Sequence, residues 1–276
     1  MSYQRLALIG WLIVAIGLVG ADEPRPDDVK LGRHHRLDFM KAKLGEFELQ
    51  AVGPPVVPLV LAPEPALRWT NPVRGVDGDG ATFFWMEGAR PVAVATISIR
   101  AGGKVFREFA LIGDRPVEAR RGGNVVWSPR KNSLPFGPLL DAPAPAKAPA
   151  QRLSQLRTMA RRFRVDLIKG KPVEGRLLPQ PLVRYAAPEA GVIDGAVFAF
   201  VEATDPEALL ILEARRDPDH PEGRWFFSVA RMTSPQAEIR LGESLVWTGL
   251  PYWSNPRSRD DPYSEAYLGL FEGPGE

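Results

Sequence analysis

The chain has 276 residues, of which 45% are hydrophobic and 25% are charged, a composition that is typical of folded globular proteins and excludes a mainly disordered chain. This length suits two domains of ordinary size. The net charge of +2 gives no chain-wide attraction for nucleic acid, and the absence of cysteine excludes disulfides, thiol nucleophiles and cysteine-bound metals.

Residues 1–21 have the pattern of a secretory signal peptide. Arg5 precedes an apolar stretch from Leu6 to Gly20, and small residues surround the expected cleavage site after Ala21. The pattern predicts export to the periplasm or the extracellular space, and a mature protein without a transmembrane span. An uncleaved N-terminal anchor is the alternative. Residues 22–32 are rich in proline and charge, so we predict a disordered lead-in.

The rest of the chain contains an internal repeat. The segment from Asp79 to Phe83 (DGATF) recurs from Asp194 to Phe198 (DGAVF), and further matches follow at the same spacing. Later matches keep the same order and pair Glu118, Arg120 and Trp127 with Glu238, Arg240 and Trp247. We therefore predict a tandem duplication, with repeat 1 at 33–138 and repeat 2 at 151–253.

Each copy is predicted to begin with an amphipathic helix. Apolar residues recur at helical spacing at the start of both copies, which places them on one face of a helix. These residues are Leu37, Met40, Leu44 and Phe47 in the first copy, and Leu153, Leu156, Ala160, Phe163 and Leu167 in the second. Each helix therefore needs a partner that covers its apolar face.

Short apolar runs separated by turn residues follow each helix. In the first copy, Ala81 to Glu87 and Val92 to Arg100 form a predicted hairpin, Lys104 to Ile112 a third strand and Val117 to Trp127 a last hairpin. The second copy repeats this pattern. A helix and an antiparallel meander of four or more strands can bury each other's apolar faces, so the predicted fold class is α+β.

Two segments lie outside the predicted repeats. Residues 139–150 alternate proline and alanine, which is typical of a semi-rigid extended linker. Residues 254–276 match neither copy and form a predicted aromatic and acidic C-terminal tail. Exposed aromatic side chains often contact partners, so Trp253 and Tyr263 are candidate partner-binding residues, with packing back onto the sheet as the alternative.

Four residues shared by the copies have structural interpretations. Asp79 and Asp194 precede glycine at the start of a strand, where we expect them to cap a turn. Trp127 and Trp247 end the last strand of each copy, and we predict that they close the core. A sugar-stacking surface is the alternative for these rings.

The shared acidic and basic residues also favour a structural role. Glu118 and Arg120, like Glu238 and Arg240, are two residues apart and so lie on one face of a strand. We predict ion pairs on the solvated face, with a carboxylate general base as the alternative. The three histidines lack the spacing of metal ligands. We therefore predict no catalytic residue, metal or cofactor.

The second predicted helix and the loop after it are strongly basic. Arg157, Arg161 and Arg164 share one predicted helical face, and the first copy does not repeat this pattern. Such a stripe can dock on an anionic envelope surface or on an acidic protein partner. An ordinary solvated face is the alternative.

Several strings resemble those of uncharacterised secreted proteins found in planctomycete-like bacteria. They are Leu67–Pro72, Asp79–Phe83, Val126–Pro129 and Asp194–Phe200. The resemblance covers most of the mature chain and implies export and the repeat, without implying any chemistry. A helix over a curved antiparallel sheet is also similar to periplasmic lipoprotein carriers, at the level of the fold alone.

Three functions are compatible with these features. We predict an exported, non-enzymatic binding or structural module of the cell envelope, because the chain has a leader and no asymmetric catalytic set. The first alternative is a carrier of an apolar acyl chain between helix and sheet, which requires a cavity of about 300 Å³ or more. A weaker alternative is a glycan hydrolase with Glu118 and Glu238 about 5–10 Å apart.

Overall fold

The computed structural model describes residues 26–70, 78–254 and 258–272, with side chains from residue 32 onward. The predicted signal peptide and its cleavage site lie outside the described residues. The first helix begins at Pro26, inside the segment 22–32 for which we expected disorder.

The described part of the chain is mainly β-structure, with two α-helices and nineteen strands. The first half consists of α1 (Pro26–Leu44), β1 (Phe47–Ala51), β2 (Val57–Pro58), β3 (Val60–Leu61), β4 (Leu67–Thr70), β5 (Asp79–Glu87), β6 (Arg90–Arg100), β7 (Lys104–Leu111), β8 (Val117–Arg121), β9 (Asn124–Trp127) and β10 (Leu134–Pro138).

The second half consists of α2 (Pro149–Ala160), β11 (Phe163–Lys169), β12 (Lys171–Leu177), β13 (Val183–Ala187), β14 (Val192–Glu202), β15 (Asp205–Asp217), β16 (His220–Arg231), β17 (Gln236–Leu241), β18 (Ser244–Gly249) and β19 (Tyr263–Leu270).

The predicted α+β class and the simple meander are both wrong. Strands dominate the described residues and form a nearly closed, barrel-like sheet. Strand β1 pairs with β8, and β11 pairs with β17, so the first strand of each half joins a hairpin from the far end of that half. A meander would pair only neighbours in sequence.

Both helices end earlier than predicted. Helix α1 ends at Leu44 and α2 at Ala160, whereas Phe47, Phe163 and Leu167 lie on strands β1 and β11. Along β11 the buried side chains are every second residue, which is the alternation of a strand with one buried face. The same apolar residues fit a helical spacing over a longer window, so spacing alone did not locate the helix ends.

The halves share one order of elements and exchange their last strands. The second half forms a sheet in the order β10-β16-β15-β14-β12-β11-β17-β18, and the first half follows the same order in two pieces, β19-β7-β6-β5-β3 and β2-β1-β8-β9. Strand β10 thus leaves the first half to pair with β16, and β19 leaves the second half to pair with β7. The segment for which we predicted a separate tail therefore contains a strand of the first half's sheet.

The described residues form three hydrophobic clusters, one in each half and one that the two halves share. Helix α1 packs on β5 and β6, and α2 packs on β14 and β15. Side chains such as Phe83 and Phe198 belong to the two clusters on the helix side of each sheet. Their neighbours in sequence, Phe84 and Val197, belong to a third cluster that both halves share. Each sheet therefore buries both faces, one against its helix and one against the other half.

Asp194 anchors α2 to the sheet and does more than cap a turn. Its Oδ2 accepts a hydrogen bond from Nε of Arg152 on α2 at 2.7 Å, and its Oδ1 accepts one from Nε of Arg184 on β13 at 2.9 Å. The equivalent contacts in the first half join Asp79 to Arg36 and Arg68, each at 2.7 Å. The turn prediction missed these ion pairs because each arginine lies on a different element from its aspartate, 10 or more residues away.

The glycine after each aspartate makes room for an aromatic ring. A Cβ atom on Gly80 would lie 2.2 Å from Cζ2 of Trp69, and one on Gly195 would lie 2.6 Å from the ring of Tyr185. The strand next to each Asp-Gly pair thus places its aromatic residue directly on the glycine. An ion-pair anchor and a ring contact together explain why the Asp-Gly pair recurs.

Candidate functional site

A groove opens beside the end of α2, where the second sheet separates. Strands β12 and β14 pair only at Arg176–Val201 and Leu177–Phe200, so the two strands diverge beyond these pairs. The resulting second-half groove has a volume of about 340 Å³. Residues that line it include Arg161, Phe163, Glu174, Arg176, Leu177 and Phe200.

The second-half groove has an apolar floor and a mainly basic rim. Phe163 and Phe200 are buried, whereas Arg161, Glu174 and Arg176 are exposed. Among the described residues, the side chain of Arg161 has no hydrogen-bond or ion-pair partner. The side chain of Arg176 donates to the carbonyl oxygen of Ala203, in the turn between β14 and β15, at 3.2 Å. Two guanidinium groups therefore meet the solvent without a carboxylate partner in this part of the structure.

Other arginines near the groove have partners. Nε of Arg164 donates to Oδ2 of Asp166 at 3.0 Å, and Arg157 donates to the amide oxygen of Gln180 while its buried Nε has no partner in the described part of the chain. Arg162 donates to two carbonyl groups of the proline- and alanine-rich segment. Arg164 is thus the one member of this group with a carboxylate partner among the described residues.

The first half has an equivalent groove, which we call the first-half groove. Its volume is about 360 Å³, and Phe47 and Trp85 occupy the positions of Phe163 and Phe200. Its one lining arginine is Arg120, whose Nε donates to Oε1 of Glu118 at 2.8 Å. The shape is therefore common to both halves, whereas the unpaired positive charge is not.

The charge difference lies where each helix passes into its first strand. The first half has Gly45, Glu46 and Glu48 at the positions where the second half has Arg161, Arg162 and Arg164. Both sets of residues support the same order of elements, so the fold does not require the arginines. The order of the elements therefore does not account for the basic character of the second-half groove.

The predicted helical stripe is not a stripe on one helix. Arg157 lies on α2, Arg161 directly follows the helix and Arg164 lies on β11. The tertiary structure instead brings Arg161 together with Arg176 of β12, which was not a predicted site residue. The hairpin signal at Lys169-Gly170-Lys171 could have placed Arg176 beside β11, because a two-strand hairpin there makes β12 its neighbour.

The shared glutamates take part in ion pairs. Oε1 of Glu118 accepts hydrogen bonds from Arg120 at 2.8 Å and from Gln50 at 3.2 Å, and Oε2 of Glu238 accepts one from Arg240 at 3.1 Å. Strands β8 and β17 belong to different sheets, and neither glutamate lines the second-half groove or the first-half groove. This geometry favours the ion-pair interpretation over a pair of catalytic carboxylates.

The two candidate aromatic residues of the C-terminal region lie in different environments. Tyr263 is buried, and its hydroxyl donates to Oε1 of Glu108 at 3.1 Å, so its ring cannot meet a partner. Trp253 is 51% exposed and packs edge-on against Tyr252, with 5.0 Å between ring centroids. Trp253 alone of these two presents a surface for binding.

The shared tryptophans differ in burial. Trp127 is completely buried against Phe109, and its Nε1 donates to the carbonyl oxygen of Asp261 at 2.8 Å. Trp247 is only half-buried, and its ring lies against Gly249 of its own strand. The first ring is thus tied to the segment before β19, through the carbonyl group of Asp261.

The interior offers little room for an apolar ligand. The space between Phe163, Phe200 and Leu210 has no room for a water molecule, which gives the acyl-carrier alternative no support. No group of three or more His, Cys, Asp or Glu residues that could hold a metal ion occurs in the described ranges. No helix there is long and apolar enough to cross a membrane.

Comparisons of the chain with protein-family models, with curated proteins and with solved structures find no match. The function of the grooves therefore has to be argued from their own geometry and charge.

Proposed function

We propose that this chain is an exported binding module of the cell envelope that attaches to anionic lipid through the second-half groove. The observation that carries the proposal is the pair of guanidinium groups, Arg161 and Arg176, on the rim above the buried rings of Phe163 and Phe200. Guanidinium groups bind phosphate and carboxylate oxygens through paired hydrogen bonds. The phenyl floor suits the methylene groups next to a lipid headgroup.

The surrounding charge adds to this attraction. Arg157 and Arg162 lie at the same end of the molecule and also lack carboxylate partners among the described residues, whereas Glu174 opposes an anion. Each arginine near an anionic membrane surface contributes about 1 kcal/mol, and salt screens this attraction over about 8–10 Å. Loss of Arg161 and Arg176 together should therefore weaken binding by about thirtyfold.

Co-sedimentation with lipid vesicles tests the proposal. The purified protein is mixed with vesicles of phosphatidylcholine, or of phosphatidylcholine with phosphatidylglycerol, at low and at high salt. We expect binding to the anionic vesicles at low salt and little binding to neutral vesicles. The double variant Arg161→Ala/Arg176→Ala should bind the anionic vesicles about thirtyfold more weakly.

The first-half groove supplies the matched control. Arg120→Ala removes the guanidinium group that lines the equivalent groove, where it is already paired with a carboxylate, and should leave sedimentation unchanged. Thermal melts establish that each variant is folded. Equal sedimentation of the parent protein with neutral and with anionic vesicles would refute the lipid site. So would a loss of binding in Arg120→Ala equal to that in the double variant. Binding to soluble polyglutamate in place of vesicles would instead indicate an acidic protein partner.

A further inference from the structure

Three neighbouring strands beside the second-half groove carry an acidic residue and an arginine two positions apart. Residues at this spacing lie on one face of a strand. On β11 and β17 the two side chains form ion pairs, which are Arg164–Asp166 at 3.0 Å and Arg240–Glu238 at 3.1 Å. Strand β12, on the other side of β11, repeats the pattern with Glu174 and Arg176, and both residues are exposed.

The pair on β12 is open. Among the described residues Glu174 has no hydrogen-bond or ion-pair partner, and Arg176 donates to the carbonyl oxygen of Ala203. Strand β12 pairs with β11 as far as Gly175 and with β14 from Arg176 onward, so it changes its partner strand between the two charged residues. Strand β11, by contrast, keeps β17 beside both members of its ion pair.

Glu174 also faces a second carboxylate. It lies directly opposite Asp166 across the β11–β12 pair, and Asp166 lies directly opposite Glu238 across the β11–β17 pair. Like charges in directly opposite positions destabilise a sheet. Asp166 and Glu238 each have an arginine partner on their own strand, whereas Glu174 has no such partner in the described ranges. A hydrogen-bond donor at Glu174 would therefore offset repulsion that the other two carboxylates already offset.

Both open groups line the second-half groove together with Arg161. Two guanidinium groups and one carboxylate give this rim a net charge of +1. A headgroup of net charge −1 therefore balances the rim. Glu174 would only repel a bare phosphate, but it can accept a hydrogen bond from a headgroup that also carries a donor.

We propose that the second-half groove selects lipid headgroups of net charge −1 that carry a hydrogen-bond donor as well as the phosphate. This inference rests on the proposed lipid site and adds a selectivity that Glu174 determines. Arg161 and Arg176 bind the phosphate oxygens, and Glu174 accepts from the donor. The hydroxyl groups of phosphatidylglycerol and the ammonium group of phosphatidylserine are both such donors.

Vesicles that differ only in their anionic headgroup test this selectivity. The same purified protein is sedimented at low salt with phosphatidylcholine vesicles that contain equal fractions of phosphatidylglycerol, phosphatidylserine or phosphatidylmethanol. All three anionic lipids have a net charge of −1, but phosphatidylmethanol has no donor. We expect phosphatidylglycerol or phosphatidylserine to bind about fivefold more tightly than phosphatidylmethanol, and the tighter of the two identifies the donor as hydroxyl or ammonium.

Glu174→Ala should remove the preference in a characteristic way. The variant loses the acceptor, which weakens binding of donor headgroups, and it loses a negative charge, which strengthens binding of every anionic headgroup. Binding to phosphatidylmethanol should therefore tighten by about fivefold, while binding to the preferred lipid stays nearly constant. A loss of folded structure would not tighten binding to one lipid.

Glu243→Ala is the matched control for the lost charge. Glu243 is exposed in the turn between β17 and β18, where the N–H group of Gly242 donates to the carbonyl oxygen of Arg162 at 2.9 Å. This turn therefore lies at the same end of the molecule as Arg161, but Glu243 does not line the groove. The control should tighten binding to all three anionic lipids by a similar factor and keep the parent's preference.

Two results would overturn the selectivity alone. One is equal binding of the parent to all three anionic lipids, and the other is the same preference in Glu174→Ala as in the parent. Unchanged vesicle binding in Arg161→Ala/Arg176→Ala would refute the lipid site itself and the selectivity with it, so the two failures are distinguishable.

Discussion

Replacement of Asp194 by asparagine tests whether a buried ion pair holds α2 on its sheet. The Asp194 side chain is 4% exposed and accepts hydrogen bonds from Nε of Arg152 at 2.7 Å and from Nε and Nη2 of Arg184 at 2.9 and 2.7 Å. Asparagine has nearly the same shape but a single acceptor oxygen, and its NH2 group would face a guanidinium. Both arginines would therefore lose their counter-charge.

The size of the effect follows from burial. Removal of one partner from a buried ion pair costs about 3–5 kcal/mol. The Arg152 and Arg184 side chains are 12% and 30% exposed, so water screens part of the charge left behind. We therefore expect Asp194→Asn to lower the free energy of unfolding by about 2–4 kcal/mol and the melting temperature by about 5–15 °C.

Urea unfolding followed by circular dichroism measures this loss. The slope of the unfolding free energy against urea concentration is compared between variants, because an unchanged slope shows that stability alone has changed. Asp166→Asn is the matched control, because Asp166 makes the same type of pair with Arg164, whose side chain is 47% exposed. We expect the control to lose less than about 1 kcal/mol. A loss below about 0.5 kcal/mol in Asp194→Asn, or a loss equal to that of the control, would show that this carboxylate does not anchor the helix.

Two further predictions concern the shared interior and the tryptophans. Because burial raises the pKa of Glu108, the folded state binds this proton more tightly than the unfolded state does, and stability falls as pH rises above the unfolded value. Glu108→Gln should therefore gain stability relative to the parent as pH rises above the unfolded pKa of a glutamate, about 4.3. An equal change of unfolding free energy with pH in the parent and the variant, measured by urea unfolding, would contradict the argument. Trp127→Ala should cost about 3–5 kcal/mol and Trp247→Ala about half as much, since only Trp127 is fully buried, and equal losses would contradict this.

Sequence periodicity was sufficient to locate many local elements. The apolar residues Leu37, Met40 and Leu44 lie on α1, and the predicted hairpin from Ala81 to Arg100 corresponds to β5 and β6. These patterns were readable because a side chain's spacing along one element decides which face it occupies. The same reasoning extended the helices too far, because Phe47 and Phe163 continue the apolar spacing after the helix has ended.

Only the tertiary structure decided how these elements pair. The pairing of β1 with β8, the exchange of β10 and β19 between the halves, and the anchoring of Asp194 by Arg152 of α2 all join residues far apart in sequence. The second-half groove depends on the same long-range choices, since Arg161 meets Arg176 only where β12 leaves β14. Local spacing indicates which face of an element is apolar, but it does not indicate which other element covers that face. That choice follows from burying every apolar face of the whole chain at once.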